Sequence, residues 1–169
     1  MRNIVFRGRK THSHEWVEGS LITADNFTAI LEAEDKVHPM DYPYLDGDLG
    51  TIDGKATPVE PETVGQFTGW EFNGVKAFEG DIVKSGFGVG VIQFGEYTVD
   101  LDLGDIEIDD HAETWVNSIG FYIKYTDGTQ TLPDCDWMHY FTIIGNIYDN
   151  PEMYSEKMAR EVIHEYRRM

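Results

Sequence analysis

The sequence predicts a mostly β protein with one α-helix at its C-terminal end, and three features support this fold class. Short runs rich in Val, Ile, Phe, Tyr and Thr recur along the chain, whereas helical spacing of apolar residues is scarce before residue 150. The 17 glycines are spread among these runs, often behind an Asp or Asn that favours a tight turn. A proline then opens a C-terminal segment with helical periodicity. The predicted strands are 16–22, 27–31, 64–67, 81–83, 89–94, 99–103, 119–125 and 140–147.

Residues 1–75 are predicted to form an N-terminal β portion that includes one long irregular connection. Within 34–61 the chain holds four prolines and shows little periodicity. Connections of that length are uncommon unless they serve a function. The segment therefore either lines a binding surface or simply wraps the core, and the sequence leaves both interpretations open.

Residues 76–150 are predicted to form a small barrel. A strand at 81–83 follows a tight turn at Gly80, and a second strand at 89–94 returns beside it after a glycine-rich turn. This hairpin is typical of SH3-like barrels. It constrains the fold but says almost nothing about function.

Residues 151–169 are predicted to form the α-helix. Asn150 is a favourable N-cap, and proline is preferred in the first helical turn. An apolar stripe runs along one face, and its members at a spacing of four are Met158, Val162 and Tyr166. The helix is predicted either to pack on its own domain or to serve as an oligomerisation or partner-binding element.

The charge of the chain excludes one class of partner and singles out one segment. With 13 basic and 31 acidic residues the formal net charge is −18, which disfavours sequence-independent binding to DNA or RNA. Residues 96–136 hold 11 of the acidic residues and a single basic one, Lys124, so their net charge is −10. Apolar and acidic residues alternate here, and the acidic candidates for an interaction surface are Asp100, Asp102, Asp105 and Glu107.

Three interpretations of this acidic segment stay open. The plain one is a hairpin with a solvated acidic face. A second is a weak cation site, although the spacing departs from an EF-hand loop because Ile106 and Ile108 replace oxygen ligands. A third is mimicry of nucleic acid, in which regularly spaced carboxylates occupy the basic groove of a DNA-binding protein.

No catalytic, cofactor or metal site is predicted. His12 and His14 could chelate one ion if they lay in a strand, but an exposed turn is the favoured interpretation. Cys135 lies between two acidic residues, which oppose formation of a thiolate. The chain has no HExxH, nucleotide-loop or nucleophile-elbow motif, and no signal or membrane segment is evident. A cytoplasmic protein is therefore expected.

Four blocks of sequence, in order along the chain, resemble the YopX family of phage and prophage proteins. They are 4–10 with 15–22, 59–69 with the turn at 73–74, 78–83, and 144–152. The resemblance implies a mainly β domain encoded by phages or integrated elements, without established catalytic residues. Within the second block, Gln66 and Thr68 are candidates for an interaction surface, although hydrogen bonding at a strand end is the alternative.

Together these features predict a non-enzymatic phage or prophage accessory protein in the bacterial cytoplasm. It is expected to act by binding another protein or by forming a homo-oligomer, without a cofactor and without contacting a membrane. The alternatives are an uncharacterised enzyme or small-ligand binder and an acidic nucleic-acid mimic that targets a DNA-binding host protein. The basic residues of the N-terminus are Arg2, Arg7, Arg9 and Lys10. Direct binding of nucleic acid through them is disfavoured by the negative charge of the rest of the chain.

Overall fold

The computed structural model describes residues 4–25, 27–32, 56–100, 115–133 and 135–154. Within these ranges the chain forms antiparallel strands joined by turns and short 3₁₀ segments. The 3₁₀ segments are Pro61–Thr63, Cys135–Tyr140 and Pro151–Met153. The strands are β1 (Phe6–Arg9), β2 (Trp16–Ala24), β3 (Phe27–Glu32), β4 (Ala56–Pro58), β5 (Gly65–Phe72), β6 (Val75–Phe78), β7 (Asp81–Ser85), β8 (Gly88–Asp100), β9 (Trp115–Tyr125), β10 (Gln130–Thr131) and β11 (Thr142–Asn146).

The chain divides into two compact units, residues 1–67 and 68–169. In the first unit the strands follow the order β4, β3, β2, β1 and the start of β5. β1 is an interior strand of this sheet, since it pairs with β2 on one side and with β5 on the other. Its core contains Val17, Ile30 and Val59, each at most 5% exposed.

The second unit opens with the end of β5, which turns back into β6. Asn73 and Gly74 form this turn with φ of 53° and 79°, the left-handed pair that a two-residue hairpin requires. The tight turn predicted here from the Asn-Gly pair is thus confirmed. Asn and Gly tolerate that conformation better than other residues.

The main sheet of the second unit has the order β10, β9, β8, β7, β11, with every neighbouring pair antiparallel. The hairpin predicted around the glycine-rich turn is confirmed, since β7 pairs with β8 through Ile82 and Val91. One face of the sheet covers a core around Phe72, Ile92 and Ile123. The barrel assignment and the domain boundary at residue 75 stay predictions.

The mostly β class is correct, but the predicted C-terminal α-helix is wrong where the structure describes the chain. The segment that begins at Asn150 makes a single 3₁₀ turn, Pro151–Met153, and leaves helical geometry at Tyr154. Asn150 makes no side-chain cap, so the capping signal does not operate as expected. No α-helix occurs in the described ranges, and no helix there is long and apolar enough to cross a membrane. Met158, Val162 and Tyr166 lie outside the described residues.

Candidate interaction surface

Two of the sequence blocks that resemble the YopX family place a buried polar residue at a strand end; the residues are Asp81 and Asn146. Asp81 is 1% exposed, and its carboxylate accepts a hydrogen bond from the backbone N–H of Phe78 at 2.8 Å. This bond closes a turn around Gly80, whose φ of 85° favours glycine. The Phe78–Asp81 motif is therefore used to start β7 rather than to present a reactive group.

The last block folds in the same manner. The side-chain oxygen of Asn146 accepts hydrogen bonds from the backbone N–H groups of Tyr148 and Asp149, both at 2.9 Å. Its amide nitrogen donates to the Asp149 carboxylate at 2.8 Å. Asn146 is 8% exposed and stands opposite Asp81 in the β11–β7 register. These two motifs therefore build the scaffold of the second unit together.

Gln66 and Thr68 fall on β5, and only the hydroxyl of Thr68 has resolved partners. It donates to the backbone oxygen of Ala77 at 2.9 Å and accepts from the backbone N–H of Trp70 at 3.0 Å. Thr68 is 6% exposed, so this hydroxyl is occupied inside the fold. Gln66 is half-buried and pairs with Phe6 of β1. Their assignment to an interaction surface stays a prediction.

Of the four acidic candidates, Asp100 falls in the part of the chain that the structure describes, at the end of the hairpin formed by β8 and β9. Asp100 is the last residue of β8 and stands opposite Trp115 in the register. Asp102, Asp105 and Glu107 lie outside the described residues. Residues 101–114, which follow β8 and precede β9 in the chain, carry six of the acidic residues of this segment.

This hairpin carries two large apolar side chains that are exposed to solvent. Its outer half, residues 94–100 of β8 and 115–121 of β9, presents Phe94 at 56% and Ile119 at 69% exposure. The register pairs Phe94 with Phe121 and Glu96 with Ile119, so all four side chains share one face. We call these four residues the hairpin patch.

The hairpin patch is anchored to the core at one end. The Phe121 ring meets Phe94 edge-on at a centroid distance of 5.1 Å and meets Trp70 edge-on at 6.3 Å. Trp70 and Phe121 both pack against the buried cluster around Ile92. Phe94 is therefore held in a defined position although more than half of it faces solvent.

The opposite face of the hairpin is filled by tyrosines. Gly95 and Gly120 stand opposite each other, and the Tyr97 ring covers Gly120, where an added Cβ would lie 3.5 Å from it. Tyr97 stacks on Tyr122 at 5.6 Å, and the Tyr122 hydroxyl donates to the Gln93 side chain at 3.0 Å. Aromatic packing across this glycine pair stiffens the hairpin behind the hairpin patch.

A second polar cluster lies in the first unit and was not predicted. The Arg9 guanidinium donates twice to Glu60, through Nε at 2.9 Å and Nη2 at 2.6 Å. His14 Nδ1 lies 3.1 Å from the other Glu60 oxygen, with the His14 backbone at a φ of 59°. Hydrogen bonding from Arg9 holds the pKa of Glu60 below its ordinary value, against a smaller opposing effect of desolvation. The cluster fastens the β1–β2 turn to the segment before Pro61–Thr63.

The remaining chemistry-bearing candidates form no site in the described residues. No group of three or more His, Cys, Asp or Glu side chains there is placed to hold a metal ion. Cys135 begins a 3₁₀ segment, and its side chain lies outside the description. Of the basic N-terminal residues, Arg7 stacks 4.8 Å from the Trp16 ring centroid and Lys10 lies 3.6 Å from Glu15. Both are therefore engaged within the fold.

Comparison with known proteins relates the chain to one family and to no curated protein. A search of the curated proteins found no match. The family model described as YopX protein matches residues 5–154. That range extends over most of both units and, apart from residue 4, contains the four blocks that resembled the family in sequence.

Proposed function

The chain belongs to the YopX family, and we propose that it acts as a phage or prophage accessory protein by binding another protein through the hairpin patch. The activity is non-enzymatic, and it takes place in the cytoplasm of the bacterial host. The partner presents apolar side chains flanked by basic ones. The observation that carries this proposal is the exposure of Phe94 and Ile119 on a hairpin whose shape is otherwise fixed.

Exposed apolar side chains have meaning when they are large, adjacent and held in place. Phe94 and Ile119 are neighbours on one face, and Phe121 fixes the orientation of the Phe94 ring. A preorganised aromatic side chain loses little conformational entropy on binding, which makes it an effective anchor. Covering these two side chains contributes on the order of 1–3 kcal/mol each to association.

Charge supports a basic protein partner over nucleic acid. Glu96 lies within the hairpin patch, and the hairpin tip leads into a segment that contributes to the net charge of −10 over residues 96–136. Such a surface attracts basic partners and speeds their association, whereas it repels phosphate. Apolar anchors beside acidic residues therefore favour a protein surface rich in Lys or Arg.

The family motifs support a division of labour within the chain. Asp81 and Asn146 are buried and hydrogen-bonded to backbone groups, so they specify the scaffold. The acidic segment lies outside those motifs. We infer that the shared residues hold the fold, while the hairpin sets the partner of this particular protein.

Mimicry of nucleic acid is the second candidate, favoured by the acidic residues that begin at Asp100. The two candidates differ in what they require from the partner. A mimic needs carboxylates and would compete with DNA, whereas binding through the hairpin patch also needs Phe94 and Ile119. Mimicry would be supported if duplex DNA competed with the chain for the partner and a Phe94→Ser variant captured as much partner as the wild type.

Capture experiments with matched variants test the proposal. The immobilised wild-type chain is expected to retain a discrete partner from host extract, and a Phe94→Ser, Ile119→Ser double variant is expected to lose it. Val75→Ser is the control, because Val75 is 55% exposed on β6, away from the hairpin. Circular dichroism verifies that each variant is folded. Equal capture by the double variant and the wild type would contradict the proposal.

A further inference from the structure

In the part of the chain that the structure describes, the outer half of β9 has an open edge. β9 pairs with β8 along its whole length, from Trp115 to Tyr125. On its other side β10 pairs only with Ile123 and Lys124. Among the described residues, no strand lies beside 115–122 on the side away from β8.

The backbone groups on this edge point outward at alternate residues. The N–H of Tyr125 donates to Thr129 at 2.8 Å, away from β8, and Ile123 pairs with Thr131 on that same side. In an antiparallel ladder the direction alternates, so the N–H and C=O groups of the odd-numbered residues of β9 face the open side. These residues are Asn117, Ile119 and Phe121. Such a row of backbone groups is a template for an additional strand.

The open edge and the hairpin patch coincide. The side chains of Ile119 and Phe121 belong to the patch, and their backbone groups form the edge. A strand added beside β9 would therefore place every second side chain against the patch. Because its other side chains would lie on the tyrosine face, apolar residues are required only at alternate positions.

The acidic charge of the chain favours a basic strand at this edge of β9. Between residues 100 and 114, which join the tips of β8 and β9, the sequence has seven acidic residues and no Lys or Arg. A second copy of the chain would bring its own net charge of −18 to this edge. A basic segment from another protein meets the opposite charge instead.

We propose that β9 takes up an extended segment of a partner protein as an additional antiparallel strand. The segment has apolar residues at alternate positions and Lys or Arg at its C-terminal end. An antiparallel strand ends beside Trp115, which stands opposite Asp100 in the β8–β9 register, and this places the basic residues at that end. This inference rests on the proposed function, since it specifies how the hairpin patch engages its partner.

Selection from a library of random 12-residue displayed peptides tests the chemistry. The full-length wild-type chain is the bait, and the Phe94→Ser, Ile119→Ser variant is used for counter-selection. The expected consensus alternates apolar and other residues over five or six positions and is followed by Lys or Arg. Enrichment of amphipathic helical or acidic sequences, or of none, would overturn the inference.

Amide hydrogen exchange with the selected peptide tests the mode of binding. Exchange at Asn117, Ile119 and Phe121 is expected to slow about tenfold or more, while Ser118 and Gly120, which already face β8, change little. Methylating the peptide amides that face β9 is expected to weaken binding about tenfold or more. This control changes only the peptide, so a loss of binding cannot come from unfolding of the protein.

The outcomes separate the inference from the proposed function. If the selected peptide needs Phe94 and Ile119 but tolerates methylation and leaves the exchange unchanged, the proposed function stands and strand addition is wrong. If the peptide does not need the two side chains, both fail. Slow exchange at Ile119 without peptide, together with a dimer in sedimentation, would show that a second copy occupies the edge and would overturn the inference.

Discussion

The inner and outer halves of the β8–β9 hairpin share two strands, one register and one alternation of apolar residues, yet one half is core and the other is surface. In the inner half, Ile92 pairs with Ile123 and both are fully buried. Two residues further along, Phe94 pairs with Phe121 and is more than half exposed. The difference comes from what lies beside the strands, because β7 pairs with β8 only as far as Val91.

The comparison teaches that a period of two specifies a strand with an apolar face but leaves open what covers that face. The inner half is covered by β5 and β11 residues such as Phe72 and Ile143. In the outer half the same pattern leaves Phe94 and Ile119 exposed. We expect variants in the two halves to differ accordingly in stability.

Shortening one isoleucine in each half of β9 gives the largest expected contrast in stability. Ile123→Ala removes a fully buried side chain and is expected to lower the free energy of unfolding by about 2–5 kcal/mol. Ile119→Ala is expected to change it by no more than about 0.5 kcal/mol, since that side chain is 69% exposed. Urea unfolding measures both. A large loss for Ile119→Ala would mean that the outer half belongs to the core.

Adding a methyl group to a glycine in each half gives a smaller contrast. At Gly90 a Cβ would lie 2.5 Å from the Ile123 side chain, so Gly90→Ala is expected to cost about 1–3 kcal/mol. At Gly95 the nearest atom would be 3.9 Å away, on Tyr122. Gly95→Ala is thus expected to be neutral or stabilising by up to about 1 kcal/mol. Thermal unfolding of both variants measures the difference, and equal losses would contradict it.

The Tyr125 hydroxyl gives the inner half a dependence on alkaline pH. Burial raises the pKa of Tyr125 above its ordinary value of 10.0, against the lowering effect of its hydrogen bond with Ser85 at 2.8 Å. The neutral phenol is favoured in the folded state, so its contribution is complete below pH 10 and is lost as pH rises through the folded pKa.

Tyr125→Phe is therefore expected to cost about 1 kcal/mol near neutral pH and to reduce the loss of stability above pH 10. Urea unfolding at a series of alkaline pH values measures both effects. If the free energy of unfolding of Tyr125→Phe fell with alkaline pH as steeply as that of the wild type, ionisation of Tyr125 would not contribute to alkaline unfolding.

Much of the β structure was predictable because local rules fixed it. The Asn73-Gly74 turn and the β7–β8 hairpin follow from glycine chemistry and alternation, and tertiary contacts did not override them. Short strands such as β6 and β10 were missed, because four and two residues carry too little periodicity. The helix signal at Asn150-Pro151 failed in the described residues, since Asn and Pro also suit a single 3₁₀ turn.

The candidate surface was less predictable than the fold. Of the predicted acidic residues, Asp100 lies on the β8–β9 hairpin, whereas the sequence pattern of Phe94 and Ile119 is that of ordinary strand residues. Their exposure depends on where the neighbouring strands β7 and β10 end, and the local sequence pattern does not predict those end points. The Arg9–Glu60 pair was also missed, because it joins residues 51 positions apart in sequence.

Neutralising Glu96 is expected to affect stability little, and it sharpens the comparison by separating folding from binding. Glu96 is exposed and stands opposite Ile119, so Glu96→Gln is expected to change the free energy of unfolding by no more than about 0.5 kcal/mol. It is expected to weaken binding of the selected basic peptide by up to about fivefold at low salt. Fluorescence anisotropy at rising salt measures this, and the difference from the wild type should fade as screening increases. A difference in affinity that did not depend on salt would mean that Glu96 acts through packing. The outer half would then resemble the inner half, where packing determines the effect of a substitution.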